Sequence, residues 1–284
     1  MTIDVEPVSA PGADGLRRFR ARVAYQGTDF HGWAAQPGLR TVEGELAPAL
    51  ARVLRQPSIR LTCAGRTDAG VHALGQVVHF DTTAAVDAGR LGRSTNGVLP
   101  PDIRISDIRP APPHFDARFA ALWRHYRYLV ADGVPDPMAR HTVLAVRRGL
   151  DVAAMDEAAQ ALCGVHDFGS FCRPRSGATT VRSVLCARWN RRSDGVVVLE
   201  IRADAFCHSM VRSVVGASLE VGAGRRSGAW LAGLVQRPGR ADAAPVAPPH
   251  GLVLVDVGYP DDPGLAERVA VARARRQPAG PAAG

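Results

Sequence analysis

The chain contains no lysine: all 35 basic residues are arginine, set against 27 acidic residues for a net charge of +8 over 284 residues. Arginine grips phosphate with a planar fork and stacks on bases, so this charge favours an RNA or DNA partner. The bland alternative is that coding bias has replaced lysine and the charge is solvated surface. Cysteine is also scarce. Cys63, Cys163, Cys172, Cys186 and Cys207 are scattered and odd in number. With no Cys-x-x-Cys pair, neither a zinc knuckle nor a disulfide framework is indicated. No apolar run approaches the ~18 residues a membrane helix needs. The first residues carry Asp4 and Glu6 and lack the apolar stretch of a signal peptide, so a reducing cytoplasm is expected. No Gly-Lys-Ser/Thr phosphate loop is present, which argues against nucleotide hydrolysis. What remains is globular in composition, 46% hydrophobic and 22% charged.

Periodicity then orders the chain. Residues 1–16 read as a loose tail. Arg20 to Tyr25 reads as a strand, and Thr41 as the N-cap of a helix whose Val42, Leu46, Leu50 and Val53 share one face. Ile59 to Ala64 and Gly75 to Phe80 read as strands, Asp87 to Gly97 as a helix, and Ile103 to Pro110 as a strand. Pro110, Pro112 and Pro113 mark a boundary. The second half repeats the order. It has a strand at Trp123 to Val130, a helix capped by Asp151, a hairpin of Val181 to Arg191 with Val196 to Ala203, a helix at Ser209 to Val221 and a strand at Leu252 to Val257. The expected fold class is therefore α+β: two split-βαβ (RRM-like) halves, residues 17–110 and 114–260, sharing a mixed, mainly antiparallel sheet. Helices would lie on one face, with a cleft between the halves. Residues 261–284 are expected to be a flexible tail.

The stretch that carries the chemistry is Cys63-Ala64-Gly65-Arg66-Thr67-Asp68-Ala69-Gly70-Val71-His72-Ala73. It places one carboxylate, Asp68, beside Arg66 on a tight loop at a strand end, where catalytic groups concentrate. An aspartate stabilising its own turn would have the same local sequence. The helix from Ser209 is apolar on nearly every side, so Arg212 sits in apolar company and needs an anion close by. Asp68 is the expected partner; the alternative is that Arg212 simply reaches water at the helix start. Arg124, Tyr126 and Tyr128 share one face of a strand, and Tyr126 lies beside Arg124 and Arg127, where an aromatic among arginines can stack a base, although a packed core tyrosine is the commoner case. His72 and His79, and His166 beside Asp167, lack a third ligand and are not expected to hold metal. Cys207 next to His208 suggests a nucleophile and base only weakly, because adjacent residues point apart.

Gly65-Arg66-Thr67-Asp68-Ala69-Gly70-Val71-His72-Ala73 resembles the signature of the TruA family of tRNA pseudouridine synthases. Nine further blocks match in order: Tyr25-Gln26-Gly27-Thr28-Asp29-Phe30-His31-Gly32-Trp33; Thr41-Val42-Glu43; Gly75-Gln76-Val77; Leu99-Pro100-Pro101-Asp102-Ile103; Phe115-Asp116-Ala117-Arg118; Arg124-His125-Tyr126-Arg127-Tyr128; His166-Asp167-Phe168; Met210-Val211-Arg212; Gly251-Leu252. The resemblance implies a catalytic Asp68 and a Tyr126 that stacks on the target uridine, with Tyr128 as ordinary packing. It implies an Arg66 that helps displace the nucleotide, an Arg212 paired with the acid and a Leu252 that walls the pocket. It also implies tRNA as partner, action at positions 38–40 of the anticodon stem-loop, and a homodimer. Cys207 departs from the family, which usually has leucine-type residues there, and reads as a packing change. The implied isomerisation exchanges no electrons and needs no group donor, so no cofactor or metal is expected. Two rivals stay open. One is a non-catalytic RNA-binding module. The other is a glycosidase, which would need a second carboxylate, with Asp29 and Asp81 the nearest candidates.

Overall fold

A computed structural model describes residues 15–173, 179–236 and 244–273. Of the tails expected at 1–16 and 261–284, residues 1–14 and 274–284 lie outside the described residues. Alternation builds the first half. Strand β1 (Arg17–Tyr25) buries Phe19, Ala21, Val23 and Tyr25 and turns Arg18, Arg20 and Arg22 to the other side. Helix α1 (Val42–Leu54) is capped as expected, with Thr41 Oγ1 accepting from the Gly44 N–H at 3.2 Å, and its Val42, Leu46 and Leu50 are fully buried. Strand β2 is shorter than its apolar pattern suggests. Ile59 and Leu61 are buried, but only Thr62–Cys63 pairs with a neighbour. Strand β3 (His72–Thr82), helix α2 (Ala88–Val98, capped by Asp87) and strand β4 (Ile103–Pro110) complete this half.

The second half runs β5 (Trp123–Ala131), β6 (Leu144–Ala145), α3 (Val152–Ala159), β7 (Gly164–Asp167), β8 (Val181–Arg191) and β9 (Val197–Ala203). Then come α4 (Met210–Gly222), α5 (Gly228–Gln236), β10 (Leu252–Gly258) and α6 (Leu265–Arg273). All ten strands join one sheet in the order β4-β1-β3-β10-β5-β9-β8-β7, with β2 on β3 and β6 on β5. Within each half the main strands follow the order fourth, first, third, second, as the split-βαβ reading requires. The halves meet where β10 lies parallel to β3, through Val253↔His72 and Leu254↔Ala73, and antiparallel to β5. One hydrophobic cluster runs through both halves, from Phe19 to Leu265. Among the described residues no helix is long and apolar enough to cross a membrane.

Two expectations need correction. Residues 261–273 do not fray: a 3-10 turn, Asp262–Gly264, leads into α6, whose Leu265 is 1% exposed and whose Arg268 donates to the Ala121 carbonyl at 3.0 Å. The helix escaped notice because its apolar residues make no clear stripe, and one buried leucine does not register as a period. Nor are the cysteines all scattered in space: Cys172 and Cys207 stand with Cα atoms 5.8 Å apart, a separation that a disulfide can span. The two are 35 residues apart in sequence, beyond the reach of any spacing rule.

Candidate active site

The loop that bears Asp68 is fixed by its backbone and by small residues around it. Ala64 N–H donates to the Val77 carbonyl, Trp33 N–H to Thr67 O at 3.1 Å and Gly70 N–H to Phe30 O at 3.2 Å. Buried Tyr25 and Thr67 share a hydroxyl contact of 2.8 Å, and Gln76 Nε2 donates to Gly65 O at 2.6 Å. Burial pushes the Tyr25 phenol well up, so it stays protonated as a structural group. Gly32 (φ 94°) and Gly70 (φ 77°) hold left-handed conformations. A side chain on Gly32 would also crowd the Thr67 carbonyl, and one on Gly70 the Pro249 ring. The loop thus threads between the 27–33 segment and the 249–250 turn of the other half.

His72, which follows the loop, is a framework residue. Its Nδ1 accepts from Gly27 N–H at 2.9 Å, so its Nε2 carries the proton towards the His250 carbonyl at 3.0 Å. Burial lowers its pKa, in keeping with a neutral ring. His79 accepts from Ala117 N–H in the same way, and burial lowers its pKa to about 4.

The second half supplies side chains to the carboxylate. Arg212 Nη1 lies 3.2 Å from Asp68 Oδ2, and its Nε donates to the Ala247 carbonyl at 2.8 Å. Ser209 Oγ donates to the same Oδ2 at 3.2 Å, and His208 Nε2 stands 3.5 Å from Oδ1. Asp68 is therefore met by three side chains from the turn that opens α4 and keeps about a quarter of its side chain exposed. Ser209 is not the ordinary cap that its position suggests. It takes φ 63° and makes no cap hydrogen bond, which leaves its hydroxyl to the carboxylate.

Beside this cluster, Tyr126 is 7% exposed, packed edge-on against Phe206 with ring centroids 5.1 Å apart. Burial is the main force raising its pKa, and the charge of Asp68 adds to it, so the hydroxyl is protonated. Leu252 is buried opposite Tyr128 on β10, two residues from Leu254, which pairs with Tyr126. Arg66 is exposed and forms no ion pair among the described residues. Arg124 was missed as a site residue. It is 8% exposed and donates to three carbonyls, Ala64 at 2.7 Å, Arg118 at 2.6 Å and Asp204 at 2.7 Å. A guanidinium from β5 thereby ties down the base of the Asp68 loop across the seam. Its signal was visible: an arginine in the buried register of Tyr126 and Tyr128 needs acceptors inside. The Cys207–His208 reading as nucleophile and base fails, because Cys207 is turned to Cys172 while His208 faces Asp68. Asp81 is bound to Arg18 and makes no contact with Asp68. Two hollows of about 200 Å³ lie away from this site, one lined by Pro48 and Leu99 and one by Arg18 and Ala266.

The profile of a family described as "tRNA pseudouridine synthase" matches residues 21–120 and 158–260. A tRNA pseudouridine synthase A from Frankia casuarinae is 54% identical over 270 residues, covering 94% of this chain and 98% of its own. A second from Cutibacterium acnes is 49% identical over 267 residues, covering 92% and 95%.

Proposed function

The chain belongs to the tRNA pseudouridine synthase family, and from that premise we propose that Asp68 is the catalytic group with which it converts uridine to pseudouridine in tRNA. The N1–C1′ bond breaks, the uracil turns, and a C5–C1′ bond forms; C5 loses a proton and N1 gains one. Atoms and electrons balance within the nucleotide, so one positioned carboxylate is enough. The observation that carries this reading is Asp68 held at the seam of the halves by Arg212, Ser209 and His208, with Tyr126 beside it.

In this reading Arg212 positions the carboxylate. The Tyr126 ring stacks the uracil, Leu252 forms the apolar wall, and Arg66, free on the loop surface, enters the stack the nucleotide leaves. The net charge of +8 suits a tRNA backbone. The target is the anticodon stem-loop at positions 38–40, reached in the cytoplasm by a homodimer whose two subunits share the span of the tRNA. The reaction calls on no metal and no cofactor.

Mapping pseudouridine in tRNA treated with the protein and with Asp68→Asn tests the reading. The expected result is conversion at positions 38–40 by the first, none by the second, and equal tRNA binding by both. Conversion by Asp68→Asn would overturn the assignment of the aspartate, release of free uracil would point to a glycosidase, and binding without conversion by either protein would leave an RNA-binding module.

A further inference from the structure

Four of the seven residues 206–212 touch the site. Phe206 packs on Tyr126, and His208, Ser209 and Arg212 meet Asp68. On this turn Cys207 stands against Cys172 with a Cα separation of 5.8 Å, a span that disulfides prefer. One residue further along each segment, Arg173 N–H donates to the His208 carbonyl at 3.2 Å, so the two segments run side by side at the clip. Both cysteines are half-buried, open to a small reagent, unlike Cys63, which is buried with its thiol pushed up to about 12. A disulfide formed here in a reducing compartment would not be a passive staple; such bonds are usually transient and sensing.

We propose that Cys172 and Cys207 form a reversible thiol–disulfide site whose closed form holds the 206–212 turn on Asp68, so that its oxidation state sets turnover without setting tRNA affinity. The inference rests on Asp68 being the catalytic group. The oxidant is a low-molecular-weight disulfide. One cysteine thiolate attacks it, forming a mixed disulfide and releasing one small thiolate; the other cysteine thiolate then attacks the protein sulfur and releases the second. The protein loses two electrons and two protons, and the reagent becomes two thiols. Opening by a small thiol reverses each step. With the pair open, the turn keeps its backbone bonds but loses its covalent anchor, and displacement of its three side chains misplaces the carboxylate rather than the RNA-binding surface.

The test equilibrates the full chain with graded ratios of reduced to oxidised glutathione, alkylates free thiols and reads residues 172 and 207 by mass spectrometry. Single-turnover conversion and tRNA Kd are measured at each ratio. Opening of the pair is expected to lower the rate about tenfold at unchanged Kd, and reoxidation to restore it. Cys172→Ser and Cys207→Ser should sit at the lower rate at every ratio. A rate indifferent to the ratio while the pair opens and closes, or a pair that stays alkylatable throughout, overturns the proposal; the wild-type series decides this even if a variant fails to fold. Asp68→Asn run alongside separates the two ideas: an active Asp68→Asn removes the aspartate reading, whereas an inactive one with a redox-indifferent wild type removes the clip alone.

Discussion

Two aspartate–arginine contacts in this molecule look alike in the sequence and differ in space. Arg18 and Asp81 face each other across β1 and β3 and make a two-pronged fork, Nε to Oδ1 and Nη2 to Oδ2, both at 2.7 Å. Arg40 with Asp102 and Arg191 with Asp132 are forks of the same kind, at 2.7–2.9 Å. Arg212 meets Asp68 through one nitrogen at 3.2 Å, and its Nε is spent on the Ala247 carbonyl. A saturated fork is a finished structural bond. A carboxylate held by longer, single contacts is oriented but keeps acceptor capacity, which is what a group that must engage a substrate requires.

The contrast can be broken from either side. The largest effect is expected from Arg212→Ala, which removes both the contact to Asp68 and the bond to Ala247. Its conversion rate should fall on the order of 10²-fold with tRNA binding nearly kept, as read by single-turnover kinetics beside a Kd measurement. Arg18→Ala is the mirror image. Denaturant unfolding should show a loss of about 1–3 kcal/mol, because Asp81 and the Phe115 carbonyl lose their donor, while the rate of folded enzyme stays near wild type. If instead Arg18→Ala stops conversion and Arg212→Ala only destabilises, the distinction between the two kinds of pair is wrong.

Acid exposes the structural forks by another route. The Arg191 fork lowers the Asp132 carboxyl from 3.8 to about 2. A carboxyl depressed in the folded state stabilises above its unfolded pKa and loses that contribution as pH falls through its folded one. Stability should therefore drop between about pH 4 and pH 2, and Asp132→Asn should flatten that limb in a pH series of melting curves. The smallest effect is expected from Tyr126→Phe. It keeps the ring against Phe206, so tRNA affinity should hold, and any change in rate isolates the hydroxyl.

How much of this was legible in the sequence follows from how local each cause is. Capped helices and alternating strands are local, so α1, α2, β1, β5 and the β8–β9 hairpin could be read from their own residues. Helix α5 could not: it opens on Gly228 and shows mostly apolar residues, with Leu231, Leu234 and Val235 buried by partners far along the chain. Strand β7 is four residues long and only pairing with β8 defines it. At the site, the Asp68 loop announced itself by its glycines, and Arg212 by an arginine in an apolar helix. Ser209 was hidden by its own plausibility, since a serine before a helix reads as a cap, and only its left-handed backbone shows that its hydroxyl is used elsewhere. Cys172 and Cys207 were hidden by the odd cysteine count.

The seam has a bearing on how the enzyme comes into being. Strand β10 follows every other strand of the sheet in the chain, yet it sits between β3 and β5 in the middle of the sheet. Until the ribosome has released residues 252–258, part of one edge of β3 and one edge of β5 stand open, each a template for pairing with a foreign strand. A copy without a paired β10 therefore lacks the tie between its two lobes and still displays unpaired backbone on both.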